Sequence, residues 1–159
     1  MKGRKTRTRR QTGQSLTAAG KIHPEKWNIS PQEAAFALKA LGIPVKEVRK
    51  VRCLPHQVCV SFWNEQDKAC SSFFSYRAFP TWQQAVEQLI ATTQTIPQFE
   101  YLTQIVEYDL VQFPYPVEMA DAIWDALKNR QSQLLAAKRL AEIEQSLAAK
   151  PALSLASSR

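Results

Sequence analysis

Between Ser30 and Ala91 the hydrophobic period changes twice, from helical to alternating and back, with a turn or cap signal at each change. Ser30-Pro31-Gln32-Glu33 reads as a capping box with proline at the first helical position, where its missing N–H costs nothing. Ala34, Ala35, Phe36, Leu38 and Leu41 continue it as a helix, which Gly42 and Pro44 end. Three strand candidates follow at 46–53 (KEVRKVRC), 57–64 (QVCVSFWN) and 69–77 (ACSSFFSYR), separated by Leu54-Pro55-His56 and by the polar turn 64–68. Thr81-Trp82-Gln83-Gln84 looks like a second capping box, and Trp82, Ala85, Val86, Leu89 and Ile90 keep helical spacing to about Ala91. The order α-β-β-β-α predicts an α+β fold, a small antiparallel three-stranded sheet packed with helices.

The remainder extends that unit with helix. Thr95-Ile96-Pro97-Gln98 is a start signal, so residues 96–113 are expected to be helical, although 104–108 also reads as a strand. Phe113-Pro114-Tyr115-Pro116 breaks any element. From Val117 to Ala149 no Pro or Gly interrupts a helical pattern. Ala120, Ile123, Trp124, Leu127 and Leu134 share one face, while Ala136, Leu140, Ile143 and Leu147 lie on a face rotated by about one residue. Arg130 or Gln131 would stand in an a/d seam, so the first half is expected to pack on the body and the second to project or pair. The chain thus divides into a disordered basic tail (1–24), an α-β-β-β-α domain (25–95), and an acidic, partly helical connecting segment (96–116). One long helix or two (117–149) and a flexible C-terminus (150–159) complete it.

Charge is as unevenly placed as the periods. Lys2, Arg4, Lys5, Arg7, Arg9, Arg10 and Lys21 account for the whole formal charge of +7, and residues 22–159 are neutral on balance. Leu16 is the only large aliphatic in this leader after Met1, too little apolar area to offset chain entropy. Between Ala78 and Leu127 there are seven acids and no Lys or Arg, so the leader has a possible counterpart inside its own chain. A short cationic segment must find something anionic or stay solvated. Phosphate neutralisation on RNA or DNA is one reading, an acidic protein surface a second, and a nuclear-import signal at Lys5–Arg10 a third. In 46–53, alternation would place Lys46, Val48, Lys50 and Arg52 on one face, a cationic stripe beside Val48 that suits phosphates or protects an edge strand. Lys46, Arg49, Lys50 and Arg52 are therefore the secondary nucleic-acid candidates.

Other chemistry finds less purchase. Cys53, His56, Cys59 and Cys70 are spaced loosely enough to raise a zinc site, against the plainer reading of three small hydrophobes and a turn histidine. Three cysteines suit a reducing compartment. Two histidines, four glycines and no nucleophile or phosphate-loop motif argue against an enzyme and against a cofactor. The basic start is not followed by an apolar core, and no run reaches the roughly 20 apolar residues of a membrane span. The expected setting is cytoplasmic, at nucleoid or ribosome, or nuclear. Trp63, Phe73, Phe74, Tyr76 and Phe79 can stack on bases or fill a core. Phe73 and Phe74 should face opposite ways, one of them covered by an acidic lid from 96–149.

The α-β-β-β-α order of 31–91 resembles the double-stranded-RNA-binding domain, whose last helix starts with a basic phosphate-gripping motif. The matching positions here, Thr81-Trp82-Gln83-Gln84-Ala85, contain no lysine, so no binding residue is carried over. Residues 48–91, with a polar turn before the third strand, Phe79 and a Thr-initiated helix with Ala85, are similar to the DNA-binding domains of integrase arms and plant ethylene-response factors. That resemblance implies DNA contact through an exposed sheet face, at Arg49, Lys50, Arg52, Trp63 and Arg77. The expected function is a small non-enzymatic nucleic-acid-binding protein. The competing one is an adaptor or assembly factor pairing with a protein partner, or with itself, through 117–149.

Overall fold

The computed structural model describes residues 14–156, with side chains to residue 149. Lys2, Arg4, Lys5, Arg7, Arg9 and Arg10 lie outside the described residues. The elements are α1 (Pro31–Ala40), β1 (Glu47–Cys53), β2 (Val58–Trp63), β3 (Ala69–Phe74), α2 (Pro80–Ala91), α3 (Ile96–Gln112) and α4 (Val117–Ala156). The α+β class and the α-β-β-β-α order are as expected, with a helical extension behind them.

Helix α1 starts where the sequence signals it, with Ser30 Oγ accepting from the Glu33 N–H at 3.1 Å. Gly42 ends it in the left-handed region at φ 77. There Gly42 N–H bonds to Lys39 O and Ile43 N–H to Leu38 O, closing a Schellman turn. The other half of the expected capping box is absent. Instead of returning to Ser30, the Glu33 carboxylate accepts from the backbone N–H of Thr81 at 2.6 Å and from its hydroxyl at 2.6 Å. The second capping box is also corrected: α2 begins at Pro80 with Phe79 at the N-cap and no side-chain cap of its own. Phe79 is fully buried, so the residue before the helix serves the core and the capping acceptor comes from α1.

The sheet is an antiparallel meander in the order β1-β2-β3. Val58, Val60 and Phe62 of β2 face the core opposite Cys53, Val51 and Val48 of β1. Strict alternation cannot bury both Val48 and Val51, which stand three apart. The register slips between Val48 and Lys50, so Arg49 is an extra residue and both valines turn inward. This overturns the expected grouping of Val48 with Lys50 and Arg52. On the inner side lie α1, packed along β1, and the aromatic group Trp27, Tyr76 and Trp82, whose ring centroids are 5.5 to 6.5 Å apart.

Helices α3 and α4 pack chiefly on α2 and on each other. Residues 104–108 belong to α3, begun by Thr95 Oγ1 accepting from Gln98 N–H at 3.3 Å, with Phe99, Leu102, Ile105 and Val106 buried. At 1.5 Å per residue, the 40 residues of α4 span about 60 Å. Met119, Ile123, Leu127 and Leu134 are buried, and every side chain from Leu135 to Ala149 is exposed. The first half therefore packs and the second projects. Backbone helix continues past the expected boundary at 149 to Ala156.

The body also begins earlier than the expected tail boundary at 24. Residues 14–24 form turns in which Leu16 and Ile22 are buried, and a 3₁₀ turn follows at Pro24–Lys26. The stretch is held because Leu16 and Ile22 are both buried and the Leu16 N–H is itself anchored, donating to Asp109 Oδ2 at 3.0 Å. No helix among the described residues is long and apolar enough to cross a membrane.

Candidate nucleic-acid interface

The cationic candidates on β1 sit on the face of the sheet turned away from the core. Register fixes three rows across that face: Glu47–Trp63–Ala69, Lys50–Ser61–Ser71 and Arg52–Cys59–Phe73. Lys50 and Arg52 thus line one edge strand beyond Glu47, Ser61 and Cys59 follow Trp63 along the centre, and Phe73 stands on the opposite edge. The Ser61 hydroxyl bonds to Ser71 Oγ at 3.4 Å, and Cys59 Sγ lies 3.5 Å from the same oxygen. Arg49, released from the ladder by the bulge, lays its guanidinium over the Trp63 ring, 4.8 Å from the centroid. Lys50 and Arg52 are exposed, and Glu47 is the carboxylate in register on this face, at its far end. The expected lid is not there: Phe73 is 59% exposed, while Phe74 turns inward and is half-buried.

The remaining candidates separate. Lys46 pairs with Asp67 in the β2–β3 turn, where Asp67 takes φ 58, so its ammonium is partly neutralised. Arg77, expected on the reading face, is 4% exposed and lies inside the protein. Its Nε donates to Asp109 Oδ1 at 2.6 Å and its second terminal nitrogen to Oδ2 at 2.7 Å. The guanidinium also stacks 3.6 Å from the Phe113 centroid and 4.6 Å from that of Trp82. The four zinc candidates do not converge. Cys53 and Cys70 lie on the inner face, in register with Val58 and Phe62 at opposite ends of β2, and Cys59 points outward. Among the described residues no group of three His, Cys, Asp or Glu is placed to hold a metal.

Sequence reading missed the cluster around Asp109, which is fully buried on α3. Besides Arg77 and the Leu16 N–H, it accepts from the Tyr115 hydroxyl at 2.5 Å, and Tyr115 in turn accepts from Trp82 Nε1 at 3.0 Å. Burial pushes the Tyr115 phenol far above its ordinary range, and the neighbouring Asp109 charge adds to the shift. Burial does the same to Tyr76, whose hydroxyl donates to Leu54 O at 2.6 Å. No buried side-chain polar atom among the described residues lacks a partner. The cluster is saturated, so its role is to join the segment around Leu16, the turn at Arg77, α2, α3 and the α3–α4 loop. The open sheet face, by contrast, carries the exposed cations Lys50 and Arg52 together with the uncovered Phe73 ring. Compared with protein-family models, curated proteins and solved structures, the chain matches none.

Proposed function

We propose that this is a small non-enzymatic nucleic-acid-binding protein in which the basic leader supplies phosphate contacts and the open sheet face supplies placement. The observation that carries the reading is the exposed Arg49, Lys50 and Arg52 on β1, with Glu47 as the carboxylate in register on this face and no covering helix among the described residues. Exposed cations on a firm scaffold fix the position of a phosphate backbone, while the six cations between Lys2 and Arg10 add affinity that falls with salt. Binding of generic RNA and DNA, measured across about 50 to 200 mM salt, tests it with the full chain and with a chain lacking 1–13. The full chain is expected to bind with a steep salt slope that shrinks on removing the leader and again on Lys50→Ala with Arg52→Ala. Absence of binding by either chain at low salt removes the reading.

A second reading, an adaptor acting through its C-terminal helix, is favoured by the exposed Leu140, Ile143 and Leu147 on the projecting half of α4. A chain ending at Ala137 keeps buried Leu134 and the Arg130 contact, so it should stay folded and lose any self-association seen by sedimentation. Unchanged association would take the helix out of that role.

A further inference from the structure

We propose that the open sheet face is a stacking platform for single-stranded nucleic acid, with Phe73 meeting a base and Lys50 and Arg52 meeting phosphates. The inference rests on the nucleic-acid reading above and narrows it to unpaired strands. Phe73 is the aromatic of the sheet whose ring is more than half exposed. Tyr76 and Phe79 are buried, Phe74 turns inward, and the Trp63 ring is covered by Arg49.

Arg52, Cys59 and Phe73 form one row across the sheet. With strands about 4.8 Å apart, cation and ring stand about 10 Å from each other. A nucleotide carries its base at one end and its phosphate at the other, so one nucleotide can lie across the strands, base on β3 and phosphate toward β1. The side chains between are a thiol and two serine hydroxyls, small enough not to lift the strand off the sheet and able to hydrogen-bond a ribose or base edge. A duplex offers this ring little, because its bases already stack on one another and present only edges in the grooves. Unpaired bases present their faces, and aromatic platforms take them with little regard to sequence.

The two contributions have separate signatures. Base stacking changes affinity without changing the number of phosphates neutralised, whereas each lost phosphate contact lowers the single-strand salt slope by about 0.7. The test uses the full chain, a short fluorescein-labelled oligouridylate, and duplex RNA and DNA of matched length, titrated at several salt concentrations. Phe73→Ala is expected to weaken oligouridylate binding by about five- to a hundredfold with the salt slope unchanged. Phe73→Trp should retain affinity, and Arg52→Ala should lower the slope. Since the ring lies on an uncovered face, both Phe73 variants should melt like the parent. If Phe73→Ala binds as tightly as the parent while Arg52→Ala still lowers the slope, the nucleic-acid reading stands and the stacking platform falls. Tighter binding of duplex than of oligouridylate also overturns the platform. Failure of the parent to bind any of the three probes at low salt removes both. If Phe73→Ala instead abolishes a self-association of the parent and leaves oligouridylate affinity unchanged, the face is an interface between copies and the proposal is wrong.

Discussion

Asp109 ties three separate stretches of the chain to α3. Its two oxygens accept from Leu16 N–H, twice from Arg77 and once from Tyr115, with the carboxylate fully buried. Asp109→Ala strands the Arg77 guanidinium in the interior, so a loss of about 3–5 kcal/mol in urea-denaturation stability is expected. Replacing Arg77 and Asp109 together by leucine should restore only part of that loss, since the Leu16 N–H and Tyr115 hydroxyl would still lack their acceptor. The buried phenols add a pH dependence. Both Tyr76 and Tyr115 are shifted upward, chiefly by burial, so above pH about 10 an unfolded chain ionises these groups while the folded one keeps them protonated. Stability is therefore full below that pH and falls as pH rises through it, by at most about 1.4 kcal/mol per unit for each phenol. Tyr115→Phe should make the alkaline decline shallower, which melting temperatures at increasing pH would reveal. None of this cluster was legible in the sequence. Asp109 stands there as one acid in an acid-only stretch, and its partners come from 93 and 32 positions away.

Elements were easier to read than their joints. Periods of two and of three to four survive in the linear pattern, so the meander and the helices emerge within a few residues of their observed ends, apart from α4, which runs on to Ala156. What failed was capping and pairing across distance. Thr81 carries a local start signal, yet Pro80 at the first helical position moves the helix start ahead of it, and the acceptor arrives from Glu33. Likewise the bulge at Arg49 follows from the need to bury Val48 and Val51 together, a tertiary demand that strict alternation cannot express. Arg130, which interrupts an a/d seam, proves to be a joint: its Nε donates to Thr93 O at 3.2 Å, tying α4 to the end of α2. Glu33→Ala should cost about 1–2 kcal/mol, in the range of a lost helix cap with its N–H left unpaired. Thr81→Val should cost less, because the backbone N–H keeps its carboxylate, and the double variant should fall short of the sum of the two. Additive losses in a denaturation cycle would show that Glu33 acts elsewhere.

Among the described residues, the cations of β1 and the acids of α3 and the first turns of α4 lie on different layers, while Lys128, Lys138 and Arg139 follow further along α4. The cationic β1 row lies on the open side of the sheet, while Glu100, Glu107, Glu118, Asp121 and Asp125 are exposed on α3 and α4, which stack on α2. At physiological salt the screening length is about 8 Å, so these acids act weakly on a strand held at the sheet face. They can act strongly only on cations that reach them, and the chain carries six between Lys2 and Arg10. Neutralising Glu100, Glu107, Asp121 and Asp125 with their amides is therefore expected to do two different things. In the chain lacking 1–13, oligouridylate affinity at physiological salt should change by less than about twofold, because screening isolates the face from α3 and α4. In the full chain it should rise by about tenfold, as the leader loses an internal competitor for its charge and meets phosphate more freely. Equal affinity of the parent and neutralised full chains would mean that leader and acidic helices act independently, and that the sorting of charge serves solubility alone.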